Sequence, residues 1–237
     1  TPAETAAPMP TEAPAPTPTP AQEARQTVTP VPETVKTTQY QRMGGTPLAQ
    51  MEALHAQNTD LVAWLTIDNV LDLPVVYRDN SYYLTHDFAK NKSTAGTIFL
   101  DENHPMTEKT QNLLLHGHNM KDGSMFADLA KYRSKDFWQT HKTVWFDTEL
   151  GSSAYEIFAV IHTTVQADDA DAFPFYRFVD AAAPEEFADY VSACKVRALY
   201  DTGISAQYGD KLLTLSTCDN ITDNGRVLVI AKQTETE

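Results

Sequence analysis

The sequence predicts a mainly β fold: a single closed barrel of seven to eight strands, with an N-terminal helix and inserted helices. Two observations support this prediction. Short runs rich in β-branched and aromatic residues recur along the chain between Asn, Asp and Gly turn signals. Helical patterns only interrupt these runs, and closure of the sheet removes the exposed edges of so many short strands. The order of the strands in the barrel does not follow from the pattern.

Residues 1–45 and residues 46–237 differ sharply in composition. The first segment is rich in Pro, Thr and Ala and holds nine of the 14 prolines. Its few large apolar residues cannot offset the entropy lost on ordering, so we expect an extended stalk or linker. Residues 46–237 then form one globular domain, which is long enough to bury a sizeable core.

The first element of that domain is a helix. Thr46 is a capping residue, and Pro47 suits the first helical position. We expect this helix to pack on the domain through its apolar side. The apolar residues at helical spacing are Leu48, Met51 and Leu54.

Eight extended runs follow, and they supply the strands. Turn signals such as Lys121-Asp122-Gly123 and Asp223-Asn224-Gly225 separate them. The runs are LVAWLTI from Leu61, LPVVYR from Leu73, GTIFLD from Gly96, and then Gln111–His116, Thr143–Phe146, Ala154–Val165, Lys211–Thr217 and Arg226–Ala231.

A longer helix is predicted from Pro184 to about Tyr200. Cys194 lies within its apolar stripe, where a core residue belongs. The only other cysteine, Cys218, lies in a different setting, which argues against a disulfide between the two, although an oxidising compartment would allow one. No CxxC spacing or Cys/His ladder indicates a metal site. The stripe consists of Phe187, Tyr190, Val191, Cys194 and Ala198.

The charge balance limits the possible partners. Lys and Arg number 18 against 32 Asp and Glu, and the net charge of −14 would repel nucleic acids and anionic lipid surfaces. No run of 18 apolar residues and no charged-then-apolar leader is present, so the sequence as given predicts neither a membrane span nor a signal peptide. The Thr/Pro-rich start nevertheless suggests a trimmed N-terminal anchor or leader.

Cys218 and His118 both lie at the end of a predicted strand. Cys218 ends LLTLSTC, and His118 follows QNLLLH and a glycine that permits a tight turn. A thiol needs a partner that holds it as thiolate or takes its proton, and imidazole is suited to this near neutral pH. The alternatives are a half-buried cysteine that closes a strand and an HxH metal pair with His116, for which no further ligand is evident.

Arg226 opens the last strand, eight residues after Cys218. A hairpin of this length could bring guanidinium and thiol to one rim, where a fixed cation would bond a carbonyl oxygen as it becomes an oxyanion. Taken alone, Arg226 is more simply explained as a surface arginine that partly offsets the negative net charge of the chain.

Taken together, the motifs resemble those of the sortases. They are TLSTC at Thr214–Cys218, HGHN at His116–Asn119, and the distal Arg226. The match is to class B, and the predicted helix before the cysteine strand fits that class. The supporting stretches are Asp60–Asn69, Leu73–Leu84, Lys92–Asp101 and His118–Leu129.

The resemblance implies a cysteine transpeptidase of Gram-positive bacteria that requires no cofactor or metal. Such an enzyme cleaves a C-terminal sorting motif of secreted proteins, NPxT-like or LPxTG-like, through a Cys218 acyl-enzyme. It then transfers the acyl group to an amine of a cell-wall peptide or pilin. His118 would be the general acid and base, and Arg226 would hold the oxyanion. The location implied is the extracellular face of the membrane, with an N-terminal anchor.

The same resemblance assigns six residues to substrate binding. One of them departs from the family pattern, because His116 stands where sortases usually carry tyrosine. A second imidazole beside His118 could alter the groove and the motif preference. The six residues are Asn80, Leu84, His116, Ser216, Thr217 and Asp219.

Two alternative functions remain open at this stage. A non-catalytic surface binding module would explain the stalk, but it gives no reason for Cys218, His118 and Arg226 to occur together. A cysteine peptidase that acts mainly by hydrolysis would share the first half-reaction with a transpeptidase.

Overall fold

The structure is a computed structural model that describes residues 48–107, 110–165, 172–219 and 224–234. The predicted stalk and the Thr46-Pro47 helix start lie outside these residues. The α-helices are α1 (Leu48–His55), α2 (Lys135–Thr140) and α3 (Pro184–Arg197), and short 3₁₀ helices span Tyr82–Leu84, Ala127–Arg133 and Phe175–Arg177. The strands are β1 (Leu61–Ile67), β2 (Leu71–Tyr77), β3 (Ile98–Leu100), β4 (Asn112–Gly117), β5 (Thr143–Thr148), β6 (Gly151–Thr164), β7 (Leu212–Cys218) and β8 (Gly225–Gln233).

The eight strands form a closed barrel, which confirms the predicted fold class. Their order around the barrel is β1-β2-β3-β4-β7-β8-β6-β5, and β5 pairs with β1 to complete the ring. Two neighbouring pairs are parallel, β2 with β3 and β4 with β7, and the others are antiparallel. The β4–β7 pair joins strands about 100 residues apart in the chain, so closure depends on long-range contacts.

Alternation along the strands divides the core into two main layers. Leu213 and Leu215 of β7 and Val229 of β8 point into the barrel, where they join the central cluster. Leu212 and Leu228 point outward and pack beneath α3 with Cys194. The outer face of β4, β7 and β8 is therefore covered at one end by α3, and the functional residues lie at the other end.

Helix α3 begins at Pro184, as predicted, and buries Phe187, Tyr190 and Cys194. It ends at Arg197, three residues before the predicted Tyr200. Ala198 adopts an extended conformation and forms a bridge with Ile161, and the Leu199 N–H donates to the Val160 carbonyl. Pairing with β6 thus ends the helix. At the other end of the chain, α1 buries Met51 and Leu54 against the barrel, as its spacing predicts.

Candidate active site

The ends of β4 and β7 lie side by side. In their parallel register Gly117 is opposite Thr217, so His118 and Cys218 follow at the same rim. Two hydrogen bonds tie the ends together: Thr217 Oγ1 donates to the Gly117 carbonyl (2.8 Å), and Asn119 Nδ2 donates to the Cys218 carbonyl (2.9 Å). The two strand ends predicted from sequence are therefore one structural unit.

Cys218 and Arg226 are directly opposite each other in the β7–β8 register. Arg226 donates from one guanidinium nitrogen to the Gly225 carbonyl at 2.9 Å, which leaves further N–H groups for a ligand. The Cys218 side chain is partly exposed, and both cysteines are free thiols. A partly exposed thiol beside a fixed cation suits nucleophilic chemistry.

A backbone carbonyl orients His118. Its Nε2 lies 2.8 Å from the Leu84 carbonyl oxygen, which can only accept, so Nε2 carries the hydrogen. Among the described residues no hydrogen bond joins the His118 ring to the Cys218 thiol, as is common for catalytic pairs without substrate. Leu84, predicted as a groove residue, thus contacts His118 through its main chain.

Most of the site residues predicted from the sequence line a pocket of about 310 Å³. Five of the six predicted groove residues line it, together with all three candidate catalytic residues. Its lining consists of Asn80, Leu84, Phe99, Asp101, His116, Gly117, His118, Ser216, Thr217, Cys218 and Arg226.

Asp219 is the predicted groove residue that does not line this pocket. Its buried carboxylate contacts Arg133 from one side and His162 from the other, and its N–H donates to the Gly225 carbonyl at 2.8 Å. These contacts fix the position of the chain immediately after Cys218. Its role in substrate binding stays a prediction.

Asp101 is a pocket residue that the sequence analysis did not single out. One carboxylate oxygen accepts from His116 Nε2 at 2.9 Å and Asn80 Nδ2 at 3.1 Å, and the other faces His104 Nδ1 at 3.2 Å. Burial alone would raise the pKa of Asp101, but the hydrogen bonds from His104, His116 and the Asn103 N–H hold it well below its usual value. The signal in the sequence was an Asp that ends a predicted strand, three residues before a histidine.

Within the described ranges no group of three or more His, Cys, Asp or Glu side chains is arranged to hold a metal ion. The chemistry available to the pocket is that of its thiol, its imidazoles and its guanidinium. Together with strand-end placement on a closed barrel, these groups define a cysteine acyl-transfer site.

Comparisons with known proteins agree with this class. The sortase domain family model matches residues 66–234. The chain is 38% identical over 189 residues to sortase B of Listeria monocytogenes, covering 77% of this chain and 73% of that protein. The chain belongs to the sortase family, and its resemblance to class B is confirmed. It is therefore a cysteine transpeptidase of the sortase B type.

Solved structures give the same result. Sortase B from B. anthracis in complex with AAEK1 matches with a TM-score of 0.70 and 30% identity, over 81% of this chain and 90% of that one. The Staphylococcus aureus sortase B-substrate complex matches with a TM-score of 0.71 and 26% identity, over 80% of this chain and 86% of that one. The barrel described above is thus a sortase B barrel.

Proposed function

We propose that this transpeptidase cleaves a C-terminal sorting motif of secreted proteins, NPxT-like or LPxTG-like, and joins the new end to an amine of a cell-wall peptide or a pilin. The observation that carries the proposal is the pocket itself, in which Cys218, His118 and Arg226 converge from three strand ends. An extended peptide segment fits such an open groove on the outer face of the barrel. The S. aureus relative, as its substrate complex indicates, binds substrate on the same fold.

In the first half-reaction Cys218 Sγ attacks the scissile carbonyl carbon as a thiolate and forms the C–S bond. The carbonyl oxygen becomes an oxyanion, which accepts hydrogen bonds from the Arg226 guanidinium. The C–N bond then breaks, and the His118 imidazolium gives its proton to the leaving amine. A thioester with Cys218 and a neutral His118 remain.

In the second half-reaction the acceptor amine attacks the thioester carbonyl and passes a proton to His118. The C–S bond breaks, a new amide forms, and Cys218 leaves as thiolate beside the imidazolium, which restores the starting pair. Water in place of the amine would give hydrolysis. The Leu84 carbonyl orients the His118 ring throughout, as the third member of a nucleophile–base–orienter set.

The defining experiment incubates wild type and Cys218→Ala with quenched peptides that carry NPxTx or LPxTG, with and without a short amine donor. We expect wild type to cleave one motif and to form the amine adduct by mass, and the variant to do neither. Cleavage with water as the only acceptor would indicate a hydrolase. Cleavage by the Cys218→Ala variant would refute the acyl-enzyme.

Arg226→Lys tests the oxyanion role separately. Lysine keeps the positive charge but lacks the planar set of N–H donors that a guanidinium offers to an oxyanion. We therefore expect kcat for cleavage to fall by about 100-fold with a smaller change in KM. Arg197→Lys on α3, outside the pocket lining, is the matched control and should retain wild-type kinetics. A change confined to KM would instead assign Arg226 to ground-state binding.

We also propose that the enzyme works on the extracellular face of the membrane, held there by an N-terminal anchor. Secreted substrates and the Pro/Thr-rich composition of residues 1–45 support this location. Within the described ranges no helix is long and apolar enough to cross a membrane. Protease treatment of intact cells tests the proposal, since an extracellular domain is cut and a cytoplasmic one is protected.

A further inference from the structure

His116 lies in the pocket with one ring nitrogen engaged and the other open. Its Nε2 contacts Asp101 Oδ2 at 2.9 Å, whereas Nδ1 makes no hydrogen bond with any described residue. The side chain is 25% exposed. Because the carboxylate only accepts, Nε2 carries the hydrogen and Nδ1 of the neutral ring is an acceptor.

Asp101 holds this orientation firmly. Asp101 is buried, with its side chain 7% exposed. Its other carboxylate oxygen faces the fully buried His104 ring, whose Nε2 in turn lies 3.2 Å from the Phe178 carbonyl. Asn80 Nδ2 donates to the same oxygen that His116 contacts. Rotation of His116 away from Asp101 would therefore leave a buried carboxylate oxygen with one partner fewer.

The strand register places His116 next to the reacting atoms. It is opposite Ser216 on β7, two residues before Cys218 and on the same outward face. Two residues along a strand span about 7 Å. His116 and Ser216 thus line the pocket one pair of positions before the thiol, within reach of substrate side chains close to the bond that Cys218 attacks.

We propose that His116 is a specificity-determining residue, whose Nδ1 accepts a hydrogen bond from an amide N–H or hydroxyl side chain of the sorting motif. The inference rests on the proposed transpeptidation and names the substrate class of the same pocket. A substrate of equal shape that lacks the donor leaves this acceptor unpaired, so a preference of about 10- to 100-fold in kcat/KM is expected.

The test uses two matched peptide pairs built on the cleaved motif: Asn against Leu at its first position, and Thr against Val at its fourth. Each pair keeps shape and removes one donor, and none of these side chains titrates. We expect wild type to prefer the donor in one pair. His116→Phe should bring that preference to within about threefold of unity, and His116→Asn should retain it, because its amide oxygen can take the place of Nδ1.

His141→Phe, an imidazole outside the pocket, is the control and should leave both preferences unchanged. If His116→Phe does not fold by circular dichroism, His116→Leu replaces it. A wild type without preference in either pair, or a folded variant that keeps the wild-type preferences, overturns the inference alone. A wild type that turns over no peptide overturns the proposed function as well.

Discussion

At the scale of single residues, the two cysteines have opposite surroundings. Cys194 is fully buried on the inner side of α3, and burial raises the pKa of its thiol to about 12. Cys218 is partly exposed in the pocket beside Arg226. Only a thiolate that solvent can reach reacts readily with alkylating reagents.

We therefore predict that iodoacetamide labels Cys218 in the native protein at least 100-fold faster than Cys194. Mass spectrometry of peptides after a time course measures both rates. Cys218→Ala should show no labelling until denaturant is added, when Cys194 becomes accessible. Equal native labelling of the two thiols would mean that α3 opens on the timescale of the reaction.

The sequence alone was sufficient to find the reactive side chains at strand ends, but not the groups that orient them. Strand patterns placed Cys218, His118 and Arg226 at strand ends, and the resemblance to the sortases grouped them into one site. The Leu84 carbonyl was missed as the partner of His118, because the conformation of the chain between β2 and β3 positions it. Asp101 directly follows β3 and was missed as the partner of His116, because only the pairing of β3 with β4 brings the two together. Side-chain type carries no signal for a main-chain carbonyl.

At the scale of elements, the end of β4 is shaped by a close approach. A methyl group added at Gly117 would lie 2.7 Å from Phe126 Cδ2 and closer still to Ile98 Cδ1. Real Cβ atoms do not approach neighbours this closely, so the side chains or the strand must shift. Gly117 thus lets the strand end pack against Phe126 while His118 emerges into the pocket.

Gly117→Ala should accordingly lower the free energy of unfolding by about 1–3 kcal/mol through overpacking. Urea denaturation followed by fluorescence measures the change. If crowding is the cause, Phe126→Leu should recover part of the loss in the double variant, with a coupling of at least about 0.5 kcal/mol. Additive losses would place the cost in the contact with Ile98 or in the backbone instead.

All eight predicted strands are present, with ends within a few residues of the observed ones, because β-branched and aromatic runs between turn residues are a local signal. The end of α3 was wrong by three residues, since pairing of Ala198 with β6 is a tertiary effect. The pattern of residue types along the chain also could not predict the parallel pairing of β4 with β7. It depends on contacts between residues about 100 positions apart.

At the scale of the whole molecule, an acidic chain depends on carboxylates that the fold keeps ionised. Asp101 is the clearest case in the described ranges, because it is buried between two imidazoles and its pKa is depressed despite that burial. In the unfolded chain the pKa of this carboxyl is about 4. The stabilisation from Asp101 is therefore complete above about pH 4 and is lost as the pH falls from there toward the folded-state pKa.

Asp101→Asn should lower the free energy of unfolding by about 2 kcal/mol at neutral pH, because the charge-assisted hydrogen bonds to its carboxylate, above all those from His104 and His116, are weakened. The difference between wild type and variant should stay constant above about pH 5 and shrink below about pH 4, since protonation then removes the same charge from wild type. Urea unfolding at a series of pH values measures it. Asp128→Asn, at a partly exposed acidic residue paired with Lys131, controls for the loss of one carboxylate charge outside the pocket. A difference that grows on acidification would mean that Asp101 is protonated in the folded state, and the orientation argued for His116 would fail with it.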